Sequence, residues 1–413
     1  MRRALACVAI IALAVACAAP PMDQQPSPLR VAMADDWASA PVVGEVVDEF
    51  QRDHPDIRVE IHGSPFSQMP DVITTSLEVE QPYDLAHWHA FAAAASGLAQ
   101  PVDELWEEHG IRDEEYLEGA VEGVTWQGQR YGLPLDTNAL VLLVNGPKLR
   151  EAGHDADSLR ATDDFLEVAR DVVAEAGAEH AISVSASSWI AYGWIRAFGG
   201  HLLEGDDAAP TFTFTDPKTV AALDLVVQLV DEELVPSPFA PDLAMEAVQG
   251  FAEGTMAMHA TGSWDLPIAA RANGLDADDV EVLPLPRGDG DTSTVLGGSS
   301  LFIPPDAEHP ELAFELALRL TDDDVALRLA EEEGRLPARQ RVFDAPLFSS
   351  SPDLTAFVDQ LPDAEVMPLI AYPEVATAFR EGLESLLAGR QSPAEAMAEV
   401  QEFADEWRAR TGG

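Results

Sequence analysis

Short apolar stretches of period two and longer stretches of helical spacing follow each other through the first third of the chain. Leu29–Ala34 alternates as a strand, residues 57–61 do so again, and apolar residues recur at helical spacing between residues 41 and 54. Further helices are predicted at residues 69–79 and 102–108, and further strands at residues 83–86 and 139–144. This alternation predicts the α/β fold class, in which helices cover parallel strands.

The later part of the chain is predicted to be mainly helical, and its helix starts are marked by capping residues. Asp216 precedes a proline, Thr321 precedes three aspartates, and Ser392 with Glu395 forms a capping-box pattern. Acidic residues in the first turn of a helix interact favourably with its dipole. Many of the carboxylates therefore need no functional explanation.

The N-terminus has the pattern of an export signal. Arg2 and Arg3 precede an uncharged run over residues 4–16, which is too short to be a permanent membrane span. The small residues before Cys17 resemble the lipobox of bacterial lipoproteins, so we expect residues 1–17 to be a lipoprotein signal peptide and Cys17 to carry the lipid. Cleavage after Ala16 or Ala18 without acylation is the alternative.

A proline-rich stretch over residues 18–28 follows and reads as an extended tether. No later stretch of the sequence has eighteen consecutive apolar residues. We therefore expect an extracytoplasmic protein that contacts the membrane only through an N-terminal lipid anchor on the outer face of the cell membrane.

The chain is strongly acidic. It has 73 Asp and Glu against 24 Lys and Arg, for a formal net charge of -49, which excludes nucleic acid as a partner. Both cysteines, Cys7 and Cys17, lie in the first seventeen residues, so the folded body has no disulfide and no thiolate metal cluster. So large an acidic excess is typical of halophilic proteins. We expect a melting temperature that rises between dilute buffer and molar salt.

The motifs of several common enzyme classes are missing from the sequence. It contains no G-x4-G-K-[ST], no G-x-S-x-G, no H-E-x-x-H and no G-x-G-x-x-G after a strand. His87 and His89 lie two apart on a predicted strand and could share a metal, but no third ligand has a suitable spacing, so no metal site is predicted. The alternatives are the rim of a polar site and a structural pair with satisfied hydrogen bonds. A glycosidase needs only two carboxylates, and spacing alone does not exclude one.

Aromatic residues lie at the ends of the predicted elements. Trp37 follows the first strand, Phe66 the second and Trp88 the third. Trp189 lies at a helix start, and Trp264 follows a later strand. Because open α/β sheets bind ligands at the carboxyl ends of their strands, these rings are candidate ligand contacts.

Four segments carry a family resemblance. They are residues 131–145 (YGLPLDTNALVLLVN), residues 251–264 (FAEGTMAMHATGSW), the LPLP segment and glycine-rich strand within residues 283–303, and residues 334–339 (GRLPAR). Together they resemble the family 1 extracellular solute-binding proteins, the sugar-binding components of ABC importers. The likeness runs from about Leu29 to the C-terminus. Val144 departs from the pattern, since an aromatic residue usually precedes the asparagine.

The resemblance implies a two-lobed periplasmic-binding-protein-like fold, with hinge strands near residues 136–138 and 295–298 and again near residues 343–350. Such proteins close around a sugar by hinge motion and deliver it to a membrane permease, without catalysis or a cofactor. We also expect a monomer. The implied lobes are discontinuous: residues 29–136 plus 297–345 form the N-terminal lobe, and residues 137–296 plus 346–413 form the C-terminal lobe.

The resemblance also implies ligand contacts. Trp264 in the G-x-W motif and Trp88 after the third strand match aromatic positions of sugar-binding members, and Trp189 falls near a stacking tyrosine. A flat ring suits the C–H face of a sugar, and short polar side chains suit its hydroxyls. The full set of predicted contacts is Asp36, Trp37, Phe66, Trp88, Asn138, Trp189, Trp264, Gly298 and Ser299.

Several candidates have a structural alternative. Asp36 could cap a helix, Asp136 could orient the hinge strand, and the backbone conformation alone could require Gly298. Arg335 fits an ion pair better than a substrate contact. The alternative functions are a secreted glycosidase and a binder of another solute, such as glycerol phosphate, within the same fold. A phosphate would require convergent arginines, whereas the acidic field favours a neutral or cationic ligand.

Overall fold

The computed structural model describes residues 27–206, 209–240, 243–266, 269, 275, 279–288 and 292–411. The predictions for the signal peptide, for Cys17 and for most of the tether lie outside the described residues. Within the described ranges, no helix combines the length and the apolar character that a bilayer span requires.

Fourteen strands form four sheets in the described part of the chain. The largest sheet has seven strands in the order β13-β6-β12-β3-β1-β2, with β14 beside β12. The strands are β1 (Leu29–Ala34), β2 (Val59–Ser64), β3 (Leu85–Trp88), β4 (Thr125–Trp126), β5 (Gln129–Arg130), β6 (Gly132–Ala139), β7 (Val141–Asn145), β8 (Leu203–Asp206), β9 (Ala209–Phe212), β10 (Met258–Thr261), β11 (Val280–Leu283), β12 (Val295–Phe302), β13 (Leu336–Pro337) and β14 (Glu365–Val366).

Helices cover these sheets. The α-helices of the described ranges are α1 (Asp35–Ala38), α2 (Pro41–Asp53), α3 (Met69–Glu78), α4 (Ala90–Ala95), α5 (Asp103–Glu108), α6 (Glu118–Glu122), α7 (Gly146–Glu151), α8 (Thr162–Ala174), α9 (Ser188–Ala197), α10 (Pro217–Asp231), α11 (Leu243–Glu253), α12 (Pro310–Leu320), α13 (Asp323–Glu333), α14 (Pro346–Ser350), α15 (Pro352–Val358), α16 (Pro373–Leu387) and α17 (Pro393–Thr411). Short 3-10 helices lie at Phe66–Gln68, Asp113–Glu115, Ala156–Leu159, Ser263–Asp265, Gln340–Asp344, Leu361–Asp363 and Pro368–Ala371.

The first strand–helix–strand unit forms as predicted. β1 has the predicted bounds, and α2 begins at a proline and buries one face of valines with Phe50. β2 and β3 each begin two residues later than predicted, because their parallel pairing with β1 sets the register: Leu29 pairs with Val59, and Val31 pairs with Leu85. β1 is buried on both faces, as expected for a central parallel strand.

The chain steps from the large sheet into a smaller one at Leu140, between the end of β6 and the start of β7. β7 pairs antiparallel with β10 and β11. Its side chains alternate between two hydrophobic cores, with Leu142 and Val144 in one and Leu143 in the other. A separate core belongs to the large sheet. Its residues come from an early part of the chain that begins at Leu29 and from a later part that ends at Ala338. The large-sheet core is therefore built from segments that are distant in sequence.

Two local predictions are wrong. The third crossing expected at residues 343–350 is helical, because Pro346 sets the first turn of α14; β14 pairs with β12 further along the chain instead. Thr321 does not cap α13, whose N-cap is Asp322; its hydroxyl donates to the carbonyl of Ala317 in the preceding helix. The capping predictions for Asp216 and Ser392 are confirmed, and both side chains accept hydrogen bonds from backbone amides in the first turn.

Candidate functional site

A cleft lies where β6 and β12 meet helices α6 and α9. It contains about 450 Å³ of empty space, part of it open to solvent. Its walls come from the residues after β3, from α6 and the two residues after it, from the facing parts of β6 and β12, from the start of α9 and from the segment that begins in β14. The carboxyl end of β3 thus contributes to the cleft, as expected for a ligand site in an α/β sheet.

One wall of this cleft contains Trp189, which packs against a second tryptophan, Trp264; we call the two the indole pair. Ser187 caps α9 through its hydroxyl, so Trp189 lies in the first turn of the helix and lines the cleft. Its Nε1 donates a long hydrogen bond of 3.4 Å to the carbonyl of Leu296. The two indole rings are 5.7 Å apart between centroids, at an angle of 47°.

Trp264 is held in place by the turn in which it lies. Asp265 accepts hydrogen bonds from the hydroxyl of Thr261 at 2.6 Å and from Nε2 of His259 at 2.9 Å, which ties the turn to β10. The ring folds back over Gly262, where an ideal Cβ would come within 2.1 Å of it. A side chain at residue 262 would therefore displace the indole.

Asp36, Asp136, Ser299 and Arg335 form a second feature, which we call the polar cluster. Oδ1 of Asp136 accepts hydrogen bonds from the backbone amide of Ser299 at 2.8 Å and from its hydroxyl at 2.5 Å. Arg335 pairs with Asp36, and its guanidinium lies 5.0 Å from the ring centroid of Trp37. The prediction that Arg335 forms an ion pair is confirmed. Asp136 holds β12 against β6 through Ser299, and its role in a hinge stays a prediction.

Asp136 is buried, with 6% of its surface exposed. Burial raises the pKa of its carboxyl, while the Arg335 guanidinium and the hydrogen bonds from Ser299 act in the opposite direction. Asp36 contributes a second negative charge that raises it further. The Arg335 guanidinium therefore acts electrostatically on both carboxylates and forms its ion pair with Asp36.

The two histidines around Trp88 are neutral at physiological pH. Burial lowers the pKa of His87 to about 3 and that of His89 to about 4. The ring of Phe66 lies 5.3 Å from the His87 ring and 5.2 Å from the His89 ring. In the part of the chain that the structure describes, no three His, Cys, Asp or Glu side chains come together as a metal site would require.

Gly298 lies where β6 and β12 cross, and its backbone has φ of +129°. An ideal Cβ there would lie 2.3 Å from the carbonyl oxygen of Asp136. The ladder also shifts register between Ser299 and Ser300. The backbone therefore requires glycine at residue 298, as the structural alternative predicts, and the same residue lines the cleft.

Comparison with known proteins identifies the chain. A family model of the bacterial extracellular solute-binding proteins matches residues 45–356. The chain belongs to this family. The predicted family relationship is confirmed, and it places the working site of this solute-binding protein outside the cytoplasm.

Several known proteins are similar to this solute-binding protein. An uncharacterized ABC transporter extracellular-binding protein of Pyrococcus horikoshii is 24% identical over 335 residues, which cover 78% of this chain and 76% of that protein. The structure of maltose-bound MalE3 from T. maritima has a TM-score of 0.81 at 22% identity, over 92% of this chain and 99% of that chain. UgpB from Mycobacterium tuberculosis, in complex with glycerophosphocholine, has a TM-score of 0.81 at 20% identity, over 94% and 100%. The predicted two-lobed fold is confirmed.

The cleft of the solute-binding protein brings together some of the predicted contacts. The cleft is lined by Trp189, Gly298 and Ser299. Trp264 packs against Trp189. Asn138 lies directly behind the lining, because its Oδ1 is 2.0 Å from the position of an ideal Cβ on Gly297. These residues form one continuous patch around the crossing of β6 and β12.

Four other predicted contacts lie outside the lining of this cleft. Trp37 is buried, with 4% of its surface exposed, and packs into the core of the large sheet under Arg335. Trp88 packs against two cores at once, and Phe66 packs on the histidine rings. Asp36 is exposed and paired with Arg335. The structure thus gives each of the four a packing or pairing role, and contact with ligand remains a prediction for them.

The sequence analysis did not assign four lining residues that carry useful chemistry: His89, Phe91, Asp136 and Thr137. A signal was present for three of them. His89 belongs to the His-Trp-His sequence, for which the rim of a polar site was the alternative to a metal site, and Asp136 and Thr137 lie in the motif that carries the family resemblance. Phe91 had no such signal, because its residue type does not distinguish a cleft from a core.

Proposed function

We propose that this solute-binding protein captures a sugar outside the cytoplasm and delivers it intact to an ABC permease. Membership of the family supports solute binding, and the similar protein of Pyrococcus horikoshii is described as part of an ABC transporter. MalE3, with the same fold, is bound to maltose. The indole pair is the observation that supports a sugar: Trp189 lines the cleft, and Trp264 packs against it.

The binding free energy expected from burial of apolar surface supports this proposal. If Trp189 removes about 100 Å² of apolar surface from water when it covers a sugar, the gain is roughly 2.5 kcal/mol. A micromolar affinity requires about 8 kcal/mol, so one such wall supplies a substantial share. Hydroxyl partners add orientation more than net free energy, because each of them also loses water.

The composition of the cleft supports binding over the two alternatives. Among the described residues that line it, Asp136 is the one carboxylate, whereas glycoside hydrolysis by the common route uses two, roughly 5 to 9.5 Å apart. The same lining residues include no lysine or arginine, which a glycerol phosphate would require. A neutral or cationic sugar fits this lining better than a phosphate.

The remaining parts of the proposal concern architecture and anchoring. We place the lobes at residues 29–136 plus 297–345 and 137–296 plus 346–413, with closure by hinge motion around β6 and β12. We further propose that the protein is a monomer, that it has no catalytic activity and that Cys17 carries a lipid.

A thermal-shift screen in high salt tests the proposal. A panel of mono- and oligosaccharides is compared with glycerol phosphate, since a ligand at a hundred times its Kd stabilises the fold by about 2.7 kcal/mol. Trp189→Ala should lose the shift. Trp407→Ala is the matched control: Trp407 is half-buried against Phe212 and lies outside the cleft lining, so its loss should lower the melting temperature and leave the ligand shift unchanged.

Two results would contradict the proposal. A full ligand shift in Trp189→Ala would show that the sugar site lies elsewhere, and release of cleaved sugar by the purified protein would show catalysis.

A further inference from the structure

The hydrogen-bond donors of the cleft lining are largely used within the chain itself. The hydroxyl of Ser300 donates to the carbonyl of Trp88 at 2.8 Å, and the hydroxyl of Thr137 donates to the carbonyl of Pro337 at 3.0 Å. Ser299 donates to Asp136, as described above. The Trp189 indole N–H donates to Leu296. A ligand therefore meets few side-chain donors on this surface.

Acceptors remain at the same place. A carboxylate can accept about four hydrogen bonds, and Asp136 takes two, both at Oδ1. Asn138 lies two residues further on β6, hence on the same face, and its Oδ1 is buried without a hydrogen-bond partner. Neutral His89, which also lines the cleft, offers one ring nitrogen as a further acceptor and the other as a donor.

The charges around the cleft also favour a cationic ligand. The polar cluster holds two carboxylates and one guanidinium, and that guanidinium is already paired with Asp36. Lysine and arginine are missing from the described residues of the lining. The buried carboxylate of Asp136 thus lies in a site with excess negative charge, in a cleft that Trp189 also lines.

We propose that the ligand presents an ammonium group to Asp136, with the unpartnered amide oxygen of Asn138 close behind the lining, so that the substrate class is the amino sugars. An ammonium has three donors and no acceptor, which matches a surface of unused acceptors. It would neutralise the excess charge beside Asp136, and an aromatic face within about 6 Å attracts it further. This inference rests on the proposed sugar-binding function.

Matched ligands that differ in one group test it by calorimetry. Glucose, glucosamine and N-acetylglucosamine form one set, and the galactose and mannose series form two more. In at least one set we expect the free amine to bind at least tenfold more tightly than both neutral members at neutral pH. The advantage should shrink as salt rises within the range where the protein is folded.

Asp136→Asn is the matched variant, because the amide oxygen can still accept from Ser299 while the charge is removed. It should abolish the preference for the amine, so that the amine and the neutral members of a set bind within about threefold of each other, whatever the change in their common affinity. If the variant fails to fold, the comparison of ligands on the wild-type protein still decides the question.

The outcomes separate the inference from the proposed function. Equal or tighter binding of the neutral member in every set that binds would overturn the ammonium inference and leave the sugar receptor intact. Failure of every set, together with failure of the oligosaccharide panel, would overturn both. A preference for the amine that persists unchanged in Asp136→Asn would place the ammonium elsewhere.

Discussion

The two sides of the cleft are built in different ways. On the strand side, Asp136 and Ser299 are fixed by the ladder between β6 and β12, and Gly298 lets the two backbones approach closely. On the other side, the indole pair is positioned by side-chain packing and by one turn at Ser263–Asp265. We therefore expect the strand side to be the more rigid and to select the ligand, and the indole pair to adapt and supply apolar contact area.

The largest expected effect comes from breaking the strand side. Gly298→Ala would place a Cβ 2.3 Å from the backbone oxygen of Asp136 at a φ of +129°, which we expect to cost about 3 kcal/mol. The control is Gly44→Ala in α2, where no atom lies within 4 Å of an ideal Cβ; alanine there should stabilise the helix by about 0.5–1 kcal/mol. Urea unfolding in molar salt measures both, and similar values for the two variants would contradict a rigid strand side.

A smaller effect is expected from disturbing the indole pair. Gly262→Ala would force the Trp264 ring to move, because the added Cβ would come within 2.1 Å of it. Since a side chain moves more easily than a backbone, we expect sugar affinity to fall about tenfold, or 1.4 kcal/mol, with little change in the unfolding free energy. Calorimetry with the best ligand of the screen measures the affinity. Unchanged affinity in this variant would remove Trp264 from the site.

A pH effect should follow from the buried carboxylate of the strand side. Burial raises the pKa of Asp136 in the folded state, so its stabilising contribution is fully present below the unfolded pKa and is lost as pH rises through the folded pKa. Relative to Asp136→Asn, the unfolding free energy of the wild type should therefore increase as pH falls from 7 towards about 4, the ordinary range of aspartate. Parallel urea titrations measure the difference, and a constant difference would contradict the direction of the shift.

The smallest effect is expected at Asp36, the exposed member of the polar cluster. The side chain of Asp36 is 57% exposed, so its ion pair with Arg335 is screened by solvent. Asp36→Asn should change the unfolding free energy by less than about 1 kcal/mol. A loss comparable to that of Gly298→Ala, measured in the same urea series, would show that Arg335 depends on Asp36 for its position over Trp37.

The sequence predicts the large-sheet elements well where one periodicity dominates. β1, α2 and α3 have a regular apolar pattern, and their bounds agree within a residue. The starts of β2 and β3 depend on pairing with β1, and the helical segment after residue 340 depends on where the chain leaves β13, so local pattern alone misplaces them. Pairing register is a tertiary property that a single sequence does not display.

The candidate site also contains some residues that the local pattern predicts and others that depend on tertiary structure. Trp189 and Gly298 could be predicted because a ring at a helix start and a glycine at a crossing strand are distinctive. Trp88 and His89 are neighbours, and the strand end between them decides which of the two reaches the cleft. Successive residues of a strand point to opposite faces. A prediction that misplaces the end of β3 by one residue therefore assigns the cleft to the core residue Trp88 instead of the lining residue His89.

The position of β12 determines the order in which the protein can fold. This strand lies between β3 and β6, and the hydroxyl of Ser300 is bonded to a carbonyl 212 residues earlier in the chain. A ribosome must therefore finish most of the polypeptide before the middle of the large sheet can be filled. Contacts so distant in sequence form slowly. The large sheet thus stays incomplete until late in synthesis, as the export of an unfolded chain would require.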